Sequence, residues 1–208
     1  MIPFRLIVGI SGSSGAIYGI RLLEVLHGLS AEALAQAGLP EVETHLVVTP
    51  AAEVILEQET PYTVPAVKQL ASVVHDVNDL AACISSGSFL TAGMIVAPCS
   101  VRTLGAIATS QATNLLLRAA DVTLKERRRL VLLVRETPLH LGHLRAMVAV
   151  TEMGAIVMPP LPAFYPQPKS LEEIINQTVG RVLDLFAIPH DLVRRWEGLP
   201  RTVRETKF

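Results

Sequence analysis

The sequence predicts one α/β domain, a three-layer α/β/α Rossmann-like sandwich around a parallel sheet of about six strands. Two observations lead to this prediction. Apolar runs of strand length alternate with helix-like segments along the whole chain. The 208 residues also suffice for one sizeable domain, residues 1–208, with a buried core. The predicted strands are Arg5–Ile10, Thr44–Thr49, Val73–His75, Met94–Ala97, Leu130–Val134 and Ala155–Met158.

Turn and cap residues locate the helices between these strands. A glycine-rich turn, Ser11–Gly15, leads into the first helix, and His27–Pro40 is expected to extend that helix at the surface. Thr137-Pro138 is typical of a helix start, and Ser170 opens a capping box. Helices are predicted at Ala16–Leu26, Ala51–Glu59, Val101–Ser110, from Arg118 onward, at Pro138–Met153 and Ser170–Ala187, and in a short C-terminal helix at about 190–198 (Asp191–Glu197).

Composition narrows the class of protein. The net charge of -1 gives no global attraction to nucleic acid or to an acidic membrane surface. The apolar runs are far shorter than the roughly 20 residues of a membrane span, so no membrane partner is expected. Yet 50% of the residues are hydrophobic and only 18% charged, which favours a homo-oligomer that buries surface between subunits. The start of the chain has no signal-peptide pattern, and we expect a cytoplasmic protein.

A basic stretch, Arg118–Glu136, carries six of the 18 basic residues. Its first half has helix-forming residues, and its second half, Leu130–Val134, is an apolar run typical of a strand buried on both faces. Arg135 and Glu136 follow that strand directly. Because ligands collect beyond the carboxyl ends of parallel strands, this guanidinium and carboxylate predict a site that binds an anion and moves a proton.

Small polar residues follow three other strands. The turn Ser11–Gly15 is a phosphate-binding type of turn, although its glycines do not match the dinucleotide pattern G-x-G-x-x-G. The second strand ends in Thr49-Pro50 without an acidic residue, which argues against a dinucleotide and fits FMN. Pro98-Cys99-Ser100 precedes a helix in the same way, and Ser85–Ser88 is either an anion contact or an ordinary polar loop.

No metal site is predicted. Cys83 and Cys99 lack the spacing of metal ligands or of a disulfide framework. His140 and His143 share a helix face, but no third ligand accompanies them in the sequence, so surface or interface histidines are the simpler interpretation.

Together, several motifs resemble the UbiX-type flavin prenyltransferase family, formerly described as aromatic acid carboxy-lyases. They are Gly12-Ser13-Ser14-Gly15, Pro98-Cys99-Ser100, R-A-A-D-V-T-L-K-E-R-R, V-R-E-T-P-L-H and P-A-F-Y, in this order. The resemblance implies transfer of a dimethylallyl group from dimethylallyl monophosphate to N5 and C6 of reduced FMN, without a metal. It also implies a dodecamer with active sites between subunits, and a UbiD-type decarboxylase as recipient of the product, for example in ubiquinone biosynthesis.

The resemblance carries roles over to particular residues. It implies FMN binding by Gly12, Ser13, Ser14, Thr49, Ser100, Val101, Arg102, Thr103 and Arg135. It implies prenyl phosphate binding by Ser86, Arg118, Lys125, Arg135, Tyr165 and Arg181. The catalytic residues that it implies are Glu136 as acid and base, Ser14 near flavin N5, Lys125 and Glu59.

The chain departs from the family pattern at three places, and two other functions stay open. Pro50 stands where the family often has Lys, Arg129 replaces a usual Pro, and His27–Pro40 is longer than in close relatives. One alternative is a flavin-dependent cysteine decarboxylase of the phosphopantothenoylcysteine type, whose P-A-S-A-N-T motif differs from the residues at 98–103. The other alternative is a non-catalytic flavin carrier.

Overall fold

One parallel sheet forms the centre of the protein, whose structure, a computed structural model, describes residues 3–198. Its strands are β1 (Phe4–Ile10), β2 (Val42–Val48), β3 (Val73–His75), β4 (Gly93–Cys99), β5 (Arg129–Val134) and β6 (Ile156–Val157). They lie in the order β3-β2-β1-β4-β5-β6, and every neighbouring pair is parallel. The order therefore reverses between β1 and β4, which is where open α/β sheets bind ligands.

Helices cover both faces of the sheet. They are α1 (Ala16–His27), α2 (Ala31–Gln36), α3 (Pro50–Glu59), α4 (Val64–Lys68), α5 (Val101–Ala108), α6 (Leu115–Lys125), α7 (Leu141–Glu152) and α8 (Leu171–Asp184). A short 3-10 turn, Cys83–Ser85, precedes β4. Within residues 3–198, no helix combines the length and apolarity that a membrane crossing requires.

Two apolar cores, one on each face, hold the layers together. Leu6, Val8 and Ile10 of β1 pack with α1, α3 and α8, whereas Ile7 points to the opposite face, toward α5, α6 and α7. This alternation follows from the two-residue period of a strand. All seven residues of β4 are buried, as expected for a central strand of a parallel sheet. The predicted three-layer α/β/α fold is confirmed.

Local side-chain caps define where most helices begin. Thr49 caps α3, with Pro50 as its first residue, and Ser100 caps α5. Ser170 accepts the N–H of Glu173 at 3.2 Å and starts α8, as the capping box predicted. Each such contact satisfies one of the amide groups that a helix end leaves unpaired, so the sequence fixes these starts locally.

Several predicted boundaries were wrong. The segment 27–40 holds a separate short helix, α2, capped by Ser30, and α4 was not predicted. The helix predicted at Pro138–Met153 begins only at Leu141, because His140 supplies its cap by accepting the N–H of Gly142 at 3.0 Å.

The prediction of a short C-terminal helix at Asp191–Glu197 is also wrong, since this segment is irregular. It is fixed by side chains instead of by helical hydrogen bonds. Arg195 forms two bonds to Asp184, at 2.6 and 2.7 Å, and Trp196 packs edge-on against Tyr165. Ion pairs to the end of α8 therefore determine the path of the chain here.

Gly19 lies where α1 crosses β4, and this position has no room for a side chain. A substitution here therefore tests how closely α1 packs on the sheet. A Cβ at Gly19 would lie 2.2 Å from the carbonyl oxygen of Ala97, a backbone atom that cannot move alone. We expect Gly19→Ala to destabilise the protein by about 1–3 kcal/mol through overpacking, despite the better helix propensity of Ala. Thermal unfolding measures the effect. In Gly105→Ala, the control within α5, the added Cβ meets open space, and equal destabilisation of the two variants would contradict the argument.

Candidate active site

A buried serine joins the loops at which the strand order reverses. Ser11 Oγ donates to the carbonyl oxygen of Pro98 at 2.9 Å and accepts the N–H of Ser100 at 2.8 Å. The loop after β1 and the loop after β4 are thus held side by side at the carboxyl edge of the sheet. The sequence indicated Ser11 only as part of the turn. Its position at the end of an apolar strand was the signal for a buried, paired hydroxyl.

The turn after β1 lies close against the start of α3. A Cβ at Gly12 would lie 2.5 Å from the Cβ of Ala51, so this position has no room for a side chain. Gly15 adopts a left-handed conformation with φ of 100° at the start of α1. Glu59, at the end of α3, accepts the N–H of Gly15 at 2.8 Å. The predicted catalytic residue Glu59 therefore contacts the turn itself.

Ser13 carries an unusual hydroxyl within this turn. Its Oγ is buried and has no hydrogen-bond partner among residues 3–198. A buried hydroxyl normally has a partner, so this one is suited to a polar group of a ligand. Together with the close backbone approach at Gly12, it makes the turn a fitting cradle for a flavin nucleotide.

Three helices begin at this same edge of the sheet: α1, α3 and α5. Thr49 Oγ1 accepts the N–H of Ala52 at 3.3 Å, and Ser100 Oγ accepts the N–H of Thr103 at 3.2 Å and donates to its hydroxyl at 3.0 Å. Val101 and the exposed Arg102 open α5. The predicted flavin-binding residues of these loops thus lie at one edge, where helix N-termini give a positive potential.

Arg135 and Glu136 continue from β5 into the same edge. The N–H of Arg135 donates to the carbonyl oxygen of Cys99 at 3.0 Å, which extends the pairing of β5 with β4. Burial raises the pKa of Tyr18, and the positive charge of Arg135 partly offsets this. Glu136 accepts the N–H of Thr137 at 3.0 Å and is half-buried. A cation and a carboxylate therefore lie at the carboxyl edge of the sheet, beside the end of β4.

Three predicted phosphate ligands form a second cluster around the 3-10 turn. Arg118 Nε donates to the carbonyl oxygen of Ser85 at 3.1 Å, and the hydroxyls of Ser86 and Ser88 are 2.9 Å apart. A Cβ at Gly87 would lie 2.7 Å from Lys125 Nζ. Lys125 also lines a surface cleft of about 550 Å³ beside α6.

This second cluster is distant from Glu136 within one chain. Lys125 lies before β5 and Glu136 after it, and the six residues of the strand span about 20 Å at roughly 3.3 Å each. A single phosphate cannot contact both residues across that length. One chain therefore does not bring Ser86, Arg118 and Lys125 together with the carboxyl-edge residues.

Tyr165 and Arg181 occupy a third place, on the surface of α8. The Tyr165 hydroxyl donates to the carbonyl oxygen of Arg194 at 3.2 Å and accepts from Gln177 at 2.9 Å. Arg181 pairs with Asp184 at 2.6 Å. Hydrogen bonds from Arg195, and then from His190 and Arg181, lower the pKa of Asp184 to about 2 against the opposing effect of burial. Asp184 thus fixes Arg181 and the C-terminal segment together.

The fold, and the small polar residues at the edge where its strand order reverses, define an α/β protein of the nucleotide- or flavin-binding class. Comparison with known proteins narrows this class, because the model of the Flavoprotein family matches residues 2–183. Flavin prenyltransferase UbiX of Escherichia coli K12 is 58% identical over 196 residues, which are 93% of this chain and 98% of that protein. UbiX of Thauera aromatica is 56% identical, covering 93% and 94%. The chain belongs to the UbiX family of flavoproteins, which confirms the resemblance drawn from its motifs.

Solved structures agree with this assignment. A dodecameric FMN-dependent UbiX-like decarboxylase from Escherichia coli O157:H7 has a TM-score of 0.86 and 47% identity, covering 94% of this chain and all of that one. AnUbiX (PadA1), solved with FMN and dimethylallyl pyrophosphate, has a TM-score of 0.87 and 47% identity, covering 96% and 100%. A PPC decarboxylase, solved with pantothenoylaminoethenethiol, has only 19% identity at a TM-score of 0.53, covering 77% and 84%, so it shares the fold alone.

The contact between Glu59 and Gly15 allows the role of Glu59 to be tested. Glu59→Gln keeps an oxygen that accepts the Gly15 N–H, whereas Glu59→Ala removes it. We expect Glu59→Gln to retain its affinity for FMN. Glu59→Ala should bind FMN up to about tenfold more weakly, which corresponds to the loss of one hydrogen bond. Titration of FMN fluorescence measures the affinity. Glu57→Ala, on the same helix, is the control. Equal flavin affinity of Glu59→Ala and Glu57→Ala would disprove a positioning role.

Proposed function

We propose that this chain is a flavin prenyltransferase that joins a dimethylallyl group, from dimethylallyl monophosphate, to N5 and C6 of reduced FMN. The observation that carries the proposal is the position of Arg135 and Glu136 at the end of β5, beside the end of β4 and at the same edge of the sheet as the turn that follows β1. A flavin bound there would have an anion-binding guanidinium and a proton-transferring carboxylate within the same crevice. The UbiX relatives carry the name of this activity.

We assign FMN binding to the loops at the carboxyl edge. Gly12 permits close approach of the backbone, and the unpaired hydroxyl of Ser13 offers a hydrogen bond. Ser14, Thr49 and Arg135 surround the same crevice, along with the start of α5 at Ser100, Val101, Arg102 and Thr103. Bound reduced flavin supplies the nucleophilic N5 and C6 atoms that accept the dimethylallyl group.

Charge stabilisation is the main task of the residues around the donor phosphate. The bond between the dimethylallyl carbon and the phosphate oxygen breaks, and negative charge grows on the leaving phosphate. Arg118, Lys125, Arg135 and Arg181 supply positive charge, and Ser86 and Tyr165 supply hydroxyl groups. Four such cations give the stabilisation that a metal provides elsewhere, and we therefore propose a reaction without a metal.

Proton transfer belongs to Glu136 and Ser14 in this proposal. Glu136, half-buried at the end of β5, assists removal of the proton from flavin C6, directly or through the phosphate. The hydroxyl of Ser14, an exposed residue of the turn after β1, forms a hydrogen bond near flavin N5. Both assignments come from the family motif and from their position at the carboxyl edge.

Active sites shared between subunits follow from the separation of the two clusters. Since β5 keeps Lys125 about 20 Å from Glu136 in one chain, Lys125 of another copy must complete the site. Seven large apolar residues in the region from α7 to α8 are exposed and available for contacts: Leu139, Leu141, Leu144, Val148, Leu161, Phe164 and Leu171. A related structure is dodecameric, and we propose the same assembly here.

The proposal includes a donor, a recipient and a location. The related structure contains dimethylallyl pyrophosphate, so comparing the monophosphate with the diphosphate decides the donor. Prenylated FMN is expected to pass to a UbiD-type decarboxylase. The free thiols of Cys83 and Cys99 favour a cytoplasmic location.

Anaerobic incubation of the protein with reduced FMN and dimethylallyl monophosphate tests the activity. Mass spectrometry should detect a flavin heavier by one prenyl unit. Glu136→Gln should bind FMN normally and lose about 10²–10⁴-fold in turnover, which is the usual contribution of a general acid or base. Glu32→Gln, an exposed change on α2, should turn over normally. An unchanged flavin mass with good FMN binding in the natural protein would refute the proposal.

Mixed oligomers test the shared site. Lys125→Ala and Glu136→Gln chains, each inactive alone, should recover activity when they are co-expressed with different tags and purified through both tags. Random pairing of subunits in a symmetric assembly predicts up to about a quarter of the natural activity. The control mixture of Arg135→Ala and Glu136→Gln should recover none, because both changes affect the part of the site that one chain supplies. No recovery in the first mixture would show that the clusters do not share a site.

A further inference from the structure

Two histidines and a cysteine meet beside the edge of the sheet, away from the carboxyl-edge crevice. They are His45 of β2, His75 of β3 and Cys83 of the 3-10 turn, and one potential ligand atom of each lies within 4.8 Å of the others. His45 and His75 are 30 positions apart in the sequence. The prediction that Cys83 has no metal-binding partners rested on local spacing, which does not detect a group assembled by strand pairing.

The two imidazoles are already near the separation that a metal ion requires. His45 Nδ1 and His75 Nε2 are 2.9 Å apart. Ligands about 2.0–2.1 Å from a tetrahedral zinc ion lie roughly 3.3 Å from each other. A small opening of this pair would therefore admit the ion. Cys83 is exposed, so its sulfur can bind the ion from the solvent side.

A carboxylate fixes the orientation of the buried histidine. Glu43 accepts from His45 Nε2 at 2.7 Å, and Arg5 Nε donates to the same carboxylate oxygen at 3.0 Å. Because a carboxylate accepts but does not donate, the hydrogen of neutral His45 lies on Nε2, and its Nδ1 lone pair points to His75. Carboxylate-bound histidines of this kind are characteristic of zinc sites.

We propose that His45, His75 and Cys83 form a binding site for Zn²⁺, with water as the fourth ligand. Two imidazoles and a thiolate match the ligand preference of zinc, and the exposed side at Cys83 leaves a position open to water. The ion would join β2 and the edge strand β3 to the 3-10 turn. Ser86, a proposed phosphate ligand, follows that turn directly, so the metal would anchor the start of the donor-binding segment.

Cobalt(II) is a suitable probe for this site in the full oligomer. After treatment with a chelator and buffer exchange, titration with Co²⁺ should give a tetrahedral visible absorption and a thiolate-to-cobalt charge-transfer band, saturating at one ion per chain. Cys83→Ser should abolish the charge-transfer band. Glu43→Gln should weaken binding about 10–100-fold, as expected when a supporting carboxylate is lost.

Control variants separate this site from other histidines. His27→Gln, on the exposed end of α1, should leave the spectrum unchanged, and so should the double change of His140 and His143 to Gln. Zn²⁺ should raise the melting temperature of the natural protein but not that of Cys83→Ser. Absence of the charge-transfer band, its persistence in Cys83→Ser, or equal stabilisation of both proteins by zinc would overturn the proposal. None of these readouts depends on prenyl transfer.

Discussion

The hydroxyl of Ser11 joins the two loops on which the candidate site depends, the loop after β1 and the loop after β4. It is 1% exposed, and it donates to one backbone group of the loop after β4 and accepts from another. Loss of one partner of a buried hydrogen bond costs about 1–3 kcal/mol, so this bridge strongly constrains the two loops. This bridge sets the position of the turn at Gly12–Gly15 relative to the start of α5 at Ser100. The relative position of these two loops is thus set by the protein itself.

The second constraint is the length of β5. The strand lies between Lys125 and Glu136, and an extended strand cannot bring its ends together. Lys125 stays at the amino edge and Glu136 at the carboxyl edge in every chain with this fold. If both act on one phosphate, the fold requires a second chain. In that case the reaction requires assembly. The exposed apolar residues around α7 and Phe164 are then available for the contacts between chains.

The sequence predicted those features that depend on residues close together along the chain. All six strands were located within two residues at each end, because apolar runs and polar breaks alternate clearly. The caps at Thr49, Ser100 and Ser170 are also local contacts. The prediction of the C-terminal helix was wrong because several contacts to distant residues hold this segment, from Arg195 to Asp184 and from Trp196 to Tyr165, and no local pattern contains them. The grouping of Ser86, Arg118 and Lys125 at the amino edge, and of His45 with His75, depends on strand order, which no local pattern contains.

The proposed phosphate ligands already have acidic neighbours in their own chain. Arg118 pairs with Asp121, Lys125 with Glu126 and Arg181 with Asp184. These side chains are partly exposed, and ion pairs of that kind contribute only about 0–1 kcal/mol. A phosphate held by several cations forms stronger, charge-assisted bonds, so it can displace or share these partners at little cost. The carboxylates therefore keep the cations oriented and prevent mutual repulsion in the free protein. In the proposed reaction, the donor phosphate and the neighbouring chain would replace these weak pairs.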